Sequence, residues 1–239
     1  MLLAGKTAII TGAGRGIGRA IAEAFAAQGC NIAALARTRD EIEDTADRAR
    51  HFGVEALAQS CDVTDATSVT EAFAAATAVL GAIDILVNNA GMARFKPFAE
   101  LTLADWQATM DANLTGAFLC TQAVLPGMFA RRAGKIINIS SVSGLKPIAE
   151  QSAYCAAKHA VNGLTKTLAL ELKPYGIGVH AICPGGVVTR LAEEAMPGRD
   201  KTDWMQPEDI AHAALYLATQ HPRATTDILH LRRFHSEPL

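Results

Sequence analysis

Short apolar runs recur along the chain with helical stretches between them. Runs such as Ile83-Asp84-Ile85-Leu86-Val87 and Lys135-Ile136-Ile137-Asn138-Ile139 are nearly continuous rather than alternating, as expected of parallel strands covered on both faces. On this basis strands are expected at Thr7 to Thr11, Asn31 to Ala36, Ala56 to Cys61, Ile83 to Asn88, Lys135 to Ser140, Val179 to Cys183 and Asp227 to Leu231. Helices are expected to begin near Gly16, Arg39, Ser68, Asn113, Tyr154 and Pro207. This alternation predicts an α/β fold: a single-domain, Rossmann-type, doubly wound parallel sheet of seven strands flanked by helices. No linker, repeat or low-complexity segment divides residues 1–239, so one dinucleotide-binding and catalytic domain is expected.

In such a sheet, ligands sit outside the carboxyl ends of the strands. The chemically conspicuous residues fall there. Gly12 to Gly18 follows the first strand, Arg37 the second, Asp62 the third, Asn89-Ala90-Gly91 the fourth, Ser140-Ser141 the fifth and Pro184-Gly185 the sixth.

Composition narrows the function class. Half of the 239 residues are hydrophobic and the formal charge is −2, without the clustered Lys and Arg that a nucleic-acid surface needs. The five scattered cysteines form neither a disulfide framework nor a zinc spacing, and the seven histidines show no metal-binding spacing. No signal peptide or membrane-spanning run is read, and a cytoplasmic protein is expected.

The glycine turn does not fit Gly-x-G-x-x-Gly, because counting from Gly12 and Gly14 the third glycine would fall at Ile17. The spacing that works is Gly12-x-x-x-Gly16-x-Gly18. Gly12 makes the turn, Gly16 lets the backbone approach a pyrophosphate, and Gly18 lets the helix pack close to the sheet. After the second strand a carboxylate would select NAD(H), but Ala36-Arg37 stands there. Arg15 and Arg37 are therefore expected to clamp a 2′-phosphate, which favours NADP(H) over NAD(H). Asp62, with Val63 beside it, is placed either to take the adenine amino group or simply to shape a turn.

Tyr154 and Lys158 stand at i and i+4 on one helix face. A phenol with an ordinary pKa of about 10 needs about 4 kcal/mol of phenolate stabilisation to act near neutrality, and an ammonium beneath it supplies a source. In the reductive direction the same tyrosine is an acid that protonates a nascent alkoxide. Ser140 and Ser141 end the fifth strand where a hydroxyl can hold the substrate oxygen, and Ser141 is the preferred choice. Asn113, at the start of its helix, either relays protons through a water or caps the helix.

Taken together, Thr-Gly-x-x-x-Gly-Ile-Gly, Asn-Asn-Ala-Gly, the Asn113 helix, Ser141, Tyr-x-x-x-Lys and Pro184-Gly185-x-Val187-x-Thr189 resemble the short-chain dehydrogenase/reductase family in its compact form, from Lys6 to about Arg190. The resemblance implies a catalytic tetrad of Asn113, Ser141, Tyr154 and Lys158, with Ser141 fixed by its distance from the tyrosine. It implies cofactor contacts at Gly12, Arg15, Gly16, Ile17, Gly18, Arg37, Asp62, Val63, Asn89, Ala90, Gly91, Pro184, Gly185, Val187 and Thr189 as well as Tyr154 and Lys158. It also implies a homodimer or homotetramer built on the helices near Asn113 and Tyr154. The ending Asp227-Ile228-Leu229-His230-Leu231-Arg232-Arg233 departs from the family's common Val-Asp-Gly-Gly finish. It is similar to a branch that includes broad-specificity alcohol and hydroxy-acid dehydrogenases.

Substrate choice is expected to reside in Met92 to Phe98, Gly144 to Gln151 and a lid over residues 187–205, with Leu191, Met196 and Trp204 as apolar wall. Arg94, Lys146 and Arg190 are candidates to steer an acidic substrate. The expected reaction interconverts a ketone and a secondary alcohol. By resemblance to acyl-carrier-protein reductases, the expected substrate is a 3-oxoacyl thioester, with Arg131-Arg132-x-x-Lys135 as a docking cluster for an acidic carrier protein. Rival readings are a dehydrogenase of small hydroxy acids or alcohols, and a non-catalytic NADP(H)-sensing protein. Sugar-nucleotide epimerisation would need a longer substrate domain.

Overall fold

A computed structural model of the chain describes residues 1–221 and 223–238. The seven strands are β1 (Thr7–Thr11), β2 (Asn31–Ala36), β3 (Ala56–Ser60), β4 (Ile85–Asn88), β5 (Gly134–Ile139), β6 (Ile177–Pro184) and β7 (Ile228–Leu231). They form one parallel sheet in the order β3-β2-β1-β4-β5-β6-β7. Strand order reverses between β1 and β4, and this is where a doubly wound sheet opens a crevice. β4 starts two residues later than expected because Asp84 turns its carboxylate to the Lys6 ammonium and the Thr7 amide.

The continuous apolar runs serve two cores at once, since successive side chains of a strand point to opposite faces. Ile10, Ile32 and Ile137 face α1 (Gly16–Ala26), α2 (Arg39–Arg50) and α8 (Pro207–Thr219). Ile9, Leu35 and Ile136 face α3 (Ala66–Leu80), α5 (Gly116–Arg131) and α6 (Ser152–Leu172). Asp65 caps α3 by accepting from the Thr67 and Ser68 amides, so the helix begins ahead of Ser68.

Two helices depart from the expected plan. α4 (Leu103–Met110) is opened by a capping box between Thr102 and Asp105, and a single π-helical turn, Asp111–Thr115, joins it to α5. Asn113 therefore lies within a long helical run and neither starts nor caps a helix. α7 (Arg190–Ala195) interrupts the segment read as a lid, whose ends are tied by the Val187 to Met205 bridge. Among the described residues, no helix is long and apolar enough to cross a membrane.

A polar chain crosses the core beside β4. Asn88 Nδ2 donates to Thr121 Oγ1 (3.1 Å) and Asn138 Oδ1 (2.9 Å), and Asn138 Nδ2 donates to Thr165 Oγ1 (2.8 Å), which links two strands to α5 and α6. Asn88→Ala leaves the Asn138 oxygen buried without its donor and is expected to lower stability by about 1–3 kcal/mol. A urea denaturation curve checks this; an unchanged midpoint would show that the chain does not brace the sheet.

Candidate active site

A cleft of about 520 Å³ lies at the carboxyl ends of the central strands and gathers most of the residues singled out above. One end is the glycine turn. Gly12 (φ +63°) and Gly16 (φ +54°) occupy the left-handed region that disfavours side chains, and a Cβ at Gly18 would overlap the Gly12 carbonyl oxygen. Asn89 holds the turn from the neighbouring strand: its Nδ2 donates to the Thr11 and Gly12 carbonyls, while Thr11 Oγ1 accepts from the amides of Asn89 and Ala90. The first turn of α1 has neither a side-chain cap nor an acidic residue. Free amides above a glycine turn fit the pyrophosphate of a dinucleotide.

The adenosine end is less simple than the sequence suggests. Arg37 lies exposed past β2 with no carboxylate partner among the described residues. Arg15 is instead paired with Glu41 at 3.1 Å, and Arg190 reaches the same carboxylate oxygen at 3.7 Å. Asp62 Oδ1 accepts from the Thr64 amide and hydroxyl, and the amide bond first of all holds its carboxyl below the usual range. It thus shapes the turn while its other oxygen stays outside that turn. Val63 packs against Gly116 of α5, where a Cβ would meet its Cγ2 at 2.8 Å.

The reacting end is built on β5, α6 and the π turn. Lys158 is buried, its Nζ donates to the Ile139 carbonyl (2.9 Å), and it lies 5.5 Å from the centroid of the Tyr154 ring. Burial lowers the Lys158 pKa to about 8. Burial also pushes the Tyr154 phenol up to about 12, opposed by the nearby Ser141 hydroxyl, although the tyrosine stays partly open to the cleft. The protein alone therefore keeps Tyr154 as a proton donor. Phe95 stacks edge-on against its ring at 5.6 Å.

The two serines both line the cleft but differ in their bonding. Ser140 is buried and donates to the Lys158 carbonyl, whereas Ser141 accepts from the Ser143 amide at the lip of the cleft. Asn113 Nδ2 donates to the carbonyls of Met92 (2.8 Å) and Thr109 (2.9 Å), so its Oδ1 is fixed, buried and without a protein partner. A Cβ at Gly91 would stand 2.6 Å from that oxygen and 3.8 Å from Lys158 Nζ, so the three groups share one small space.

At the far wall, Pro184 ends β6, and the amide of Gly185 just past it donates to the Leu231 carbonyl. Thr189 caps α7 by accepting from the Ala192 amide, and Val187, Leu191, Met196 and Trp204 line the cleft. Gly186, not singled out beforehand, admits the Trp204 ring, which a Cβ would meet at 2.7 Å. The segment after β7 also enters the wall through Arg232, Arg233, Ser236 and Glu237, with Arg233 paired to Asp203 at 2.8 Å. The stretch Leu231-Arg232-Arg233 carried that signal only as a departure from the family's common ending.

Other candidates turn out to be engaged elsewhere. Arg94 and Lys96 both pair with buried Asp105, at 2.7 and 2.8 Å, and Lys96 foremost holds that carboxyl well below its usual range. Arg94 thus anchors the loop after β4 to α4 and is not free to steer a substrate. Arg190 is paired with Glu194 and Glu41. Arg131, Arg132 and Lys135 donate to the carbonyls of Ile83, Pro174, and Leu217 with Gln220, which fixes them against the protein without removing their charge. Among the described residues, no group of three or more His, Cys, Asp or Glu is arranged to hold a metal.

Comparison with known proteins agrees with this geometry. The family model described as short chain dehydrogenase matches residues 6–200. D-threitol dehydrogenase of Mycolicibacterium smegmatis is 40% identical over 91% of this chain and 87% of its own. A 3-oxoacyl-[acyl-carrier-protein] reductase of Synechocystis is 38% identical over 91% and 90%. Among solved structures, NAD+-bound xylitol dehydrogenase superposes with a TM-score of 0.87 at 30% identity, covering 96% of this chain and 98% of that one. An alcohol dehydrogenase from Thermococcus sibiricus complexed with 5-hydroxy-NADP gives 0.90 at 30%, covering 98% and 99%. A glycine cradle for a dinucleotide, a buried lysine beneath a protonated tyrosine and these likenesses converge: the chain belongs to the short-chain dehydrogenase/reductase family and is an oxidoreductase acting on CH–OH groups.

Proposed function

We propose that this protein is an NADP(H)-dependent oxidoreductase that interconverts a ketone and a secondary alcohol, with Asn113, Ser141, Tyr154 and Lys158 as its catalytic residues. The observation that carries the reading is the buried Lys158 ammonium beside Tyr154, with the fixed Asn113 oxygen in the same small space. The bound nicotinamide supplies or takes up the hydride. Ser141 holds the carbonyl oxygen at the lip of the cleft, and Tyr154 protonates it as negative charge develops. Lys158 keeps positive charge beneath the phenol, so that the phenolate left behind is stabilised. Asn113 Oδ1 accepts a water through which Lys158 exchanges its proton with solvent.

The free Arg37 beyond Ala36 supports NADP(H) over NAD(H), since no acidic side chain follows β2 directly to repel a 2′-phosphate. Arg15 joins that clamp only by leaving Glu41. Asp62, Val63, Asn89 to Gly91 and Pro184, Gly185, Val187 and Thr189 complete the cofactor seat, and residues 187–205 close over it as a lid. The likeness to an acyl-carrier-protein reductase supports a 3-oxoacyl thioester as substrate, with a carrier protein as partner. The likeness to a threitol dehydrogenase supports the second reading, a small alcohol or hydroxy acid. Exposed Phe118, Phe129 and Leu170 on α5 and α6 support a homodimer or homotetramer, and five cysteines without a disulfide suit a cytoplasmic setting.

Tyr154→Phe is expected to lower kcat by about a thousandfold while NADPH fluorescence still reports binding, because the acid is lost and the cradle remains. Near-normal turnover would remove Tyr154 from the mechanism. Arg37→Ala is expected to lower kcat/KM for NADPH by about 10–100-fold, the worth of a charged hydrogen bond, and to spare NADH; equal losses would place Arg37 elsewhere. The ammonium of Lys158 is present below pH 8 and lost above it, so reductive kcat/KM should fall as pH rises through about 8. A profile flat from pH 7 to about pH 10, the range below an ordinary lysine's pKa, would contradict this.

A further inference from the structure

Beyond Tyr154 the cleft runs toward the carboxyl ends of β5 and β7, and its wall there is cationic. Lys146 comes from the segment after β5, His230 from β7, Arg232 from the residues just past it and Arg199 from the segment after α7. Neighbouring arginines are neutralised, Arg190 by Glu194 and Glu41 and Arg233 by Asp203. Lys146, Arg199 and Arg232 have no carboxylate partner among the described residues, and Glu237 is the one acidic residue lining the cleft there.

Arg232 is also preorganised. Its Nη1 donates to the carbonyls of Arg233 (3.3 Å), Phe234 (3.1 Å) and Ser236, which leaves Nε and Nη2 without a protein acceptor among the described residues. His230 Nε2 is buried and unpartnered. Burial first, then the charges of Lys146 and Arg232, lower the pKa of this imidazole, and all three residues line this part of the cleft wall. That part is remote from the adenosine end. β7 lies five strands from β2 in the sheet, roughly 24 Å at the usual strand spacing, so a 2′-phosphate held at Arg37 does not reach it. Like charges gathered in a cleft repel one another and attract an anion.

We infer that the substrate carries an anionic oxygen group, a carboxylate or a phosphate, a few bonds from its carbonyl, and that Lys146 and Arg232 seat it beside His230. The inference rests on the ketone and alcohol reading above and, within it, favours the small hydroxy-acid alternative over the 3-oxoacyl thioester: small oxo acids or oxo phosphates and their hydroxy counterparts. Polyols and thioesters lack the charge at that distance. Lys146 and Arg232 act on specificity and do not touch the reacting atoms.

The test is NADPH-linked reduction of two matched pairs, 4-oxopentanoate against 4-oxopentanamide and dihydroxyacetone phosphate against dihydroxyacetone. At least one anion is expected to exceed its neutral partner by about tenfold or more in kcat/KM, chiefly through KM, and the better pair tells carboxylate from phosphate. The ratio should approach one in Lys146→Gln/Arg232→Gln and recover in part in Lys146→Arg. Equal use of both members of both pairs, or a ratio that survives the double variant, would overturn the inference. Should no ketone be reduced, calorimetric titration of the NADPH-bound protein with the same compounds separates the two claims. Anion-selective binding lost in the double variant would sustain the seat while the ketone reading fails, and binding without selectivity would overturn the seat itself.

Discussion

The Lys158 ammonium is buried in the floor of the cleft, where the Ile139 carbonyl at 2.9 Å is its hydrogen-bond acceptor, and the rest of the reacting site is arranged around that charge. A buried cation is costly unless it is hydrogen-bonded or put to use. Here the pleat of β5 aims its last carbonyl at α6, and one helical turn places Tyr154 over the ammonium. The π turn serves the same centre from the other side. It carries Asn113 into the helical run so that its amide nitrogen is spent on the Met92 and Thr109 carbonyls and its oxygen is left beside Lys158. Gly91 has no side chain because that oxygen occupies the place where one would begin.

The same economy governs the cofactor end. Strand order reverses between β1 and β4, so the segments that follow these two strands diverge and open the crevice between them. Asn89 and Thr11 lock them together through four hydrogen bonds, which fixes the glycine turn relative to the reacting end. Hydride chemistry requires the two halves of a dinucleotide to be held in one geometry, and a rigid crevice supplies that preorganisation.

The sheet, and the placing of Tyr154 and Lys158 on one helix face, were legible in the sequence because each rests on a local, periodic or short-range signal. Apolar runs mark the strands, Gly12, Gly16 and Gly18 mark a turn that only glycine tolerates, and Tyr154 and Lys158 share a face by spacing alone. What escaped depends on contacts between distant segments. α4 has a weak apolar stripe and is held by Asp105, whose partners Arg94 and Lys96 look like free surface cations until the loop folds back. Its signal was the Thr102-x-x-Asp105 capping box. The Asn88 and Asn138 network hides inside strands that read as apolar, and Arg15 cannot be seen to meet Glu41 without the packing of α2 on the glycine turn. The wall built by Arg232 and its neighbours is legible only once the segments after β5 and β7 are seen to line one cleft.

In the proposed reaction, proton delivery from Tyr154 is coupled to hydride delivery onto a ketone. The most direct measurement is absorbance at 340 nm with NADPH, then NADH, against acetoacetyl thioester, diketones, aldehydes and small oxo acids, with the product alcohol quantified in parallel. The account predicts loss of NADPH matched by formation of a secondary alcohol with at least one ketone. Tight NADPH binding with no oxidation by any of them would contradict it and leave a nucleotide-binding protein without this chemistry.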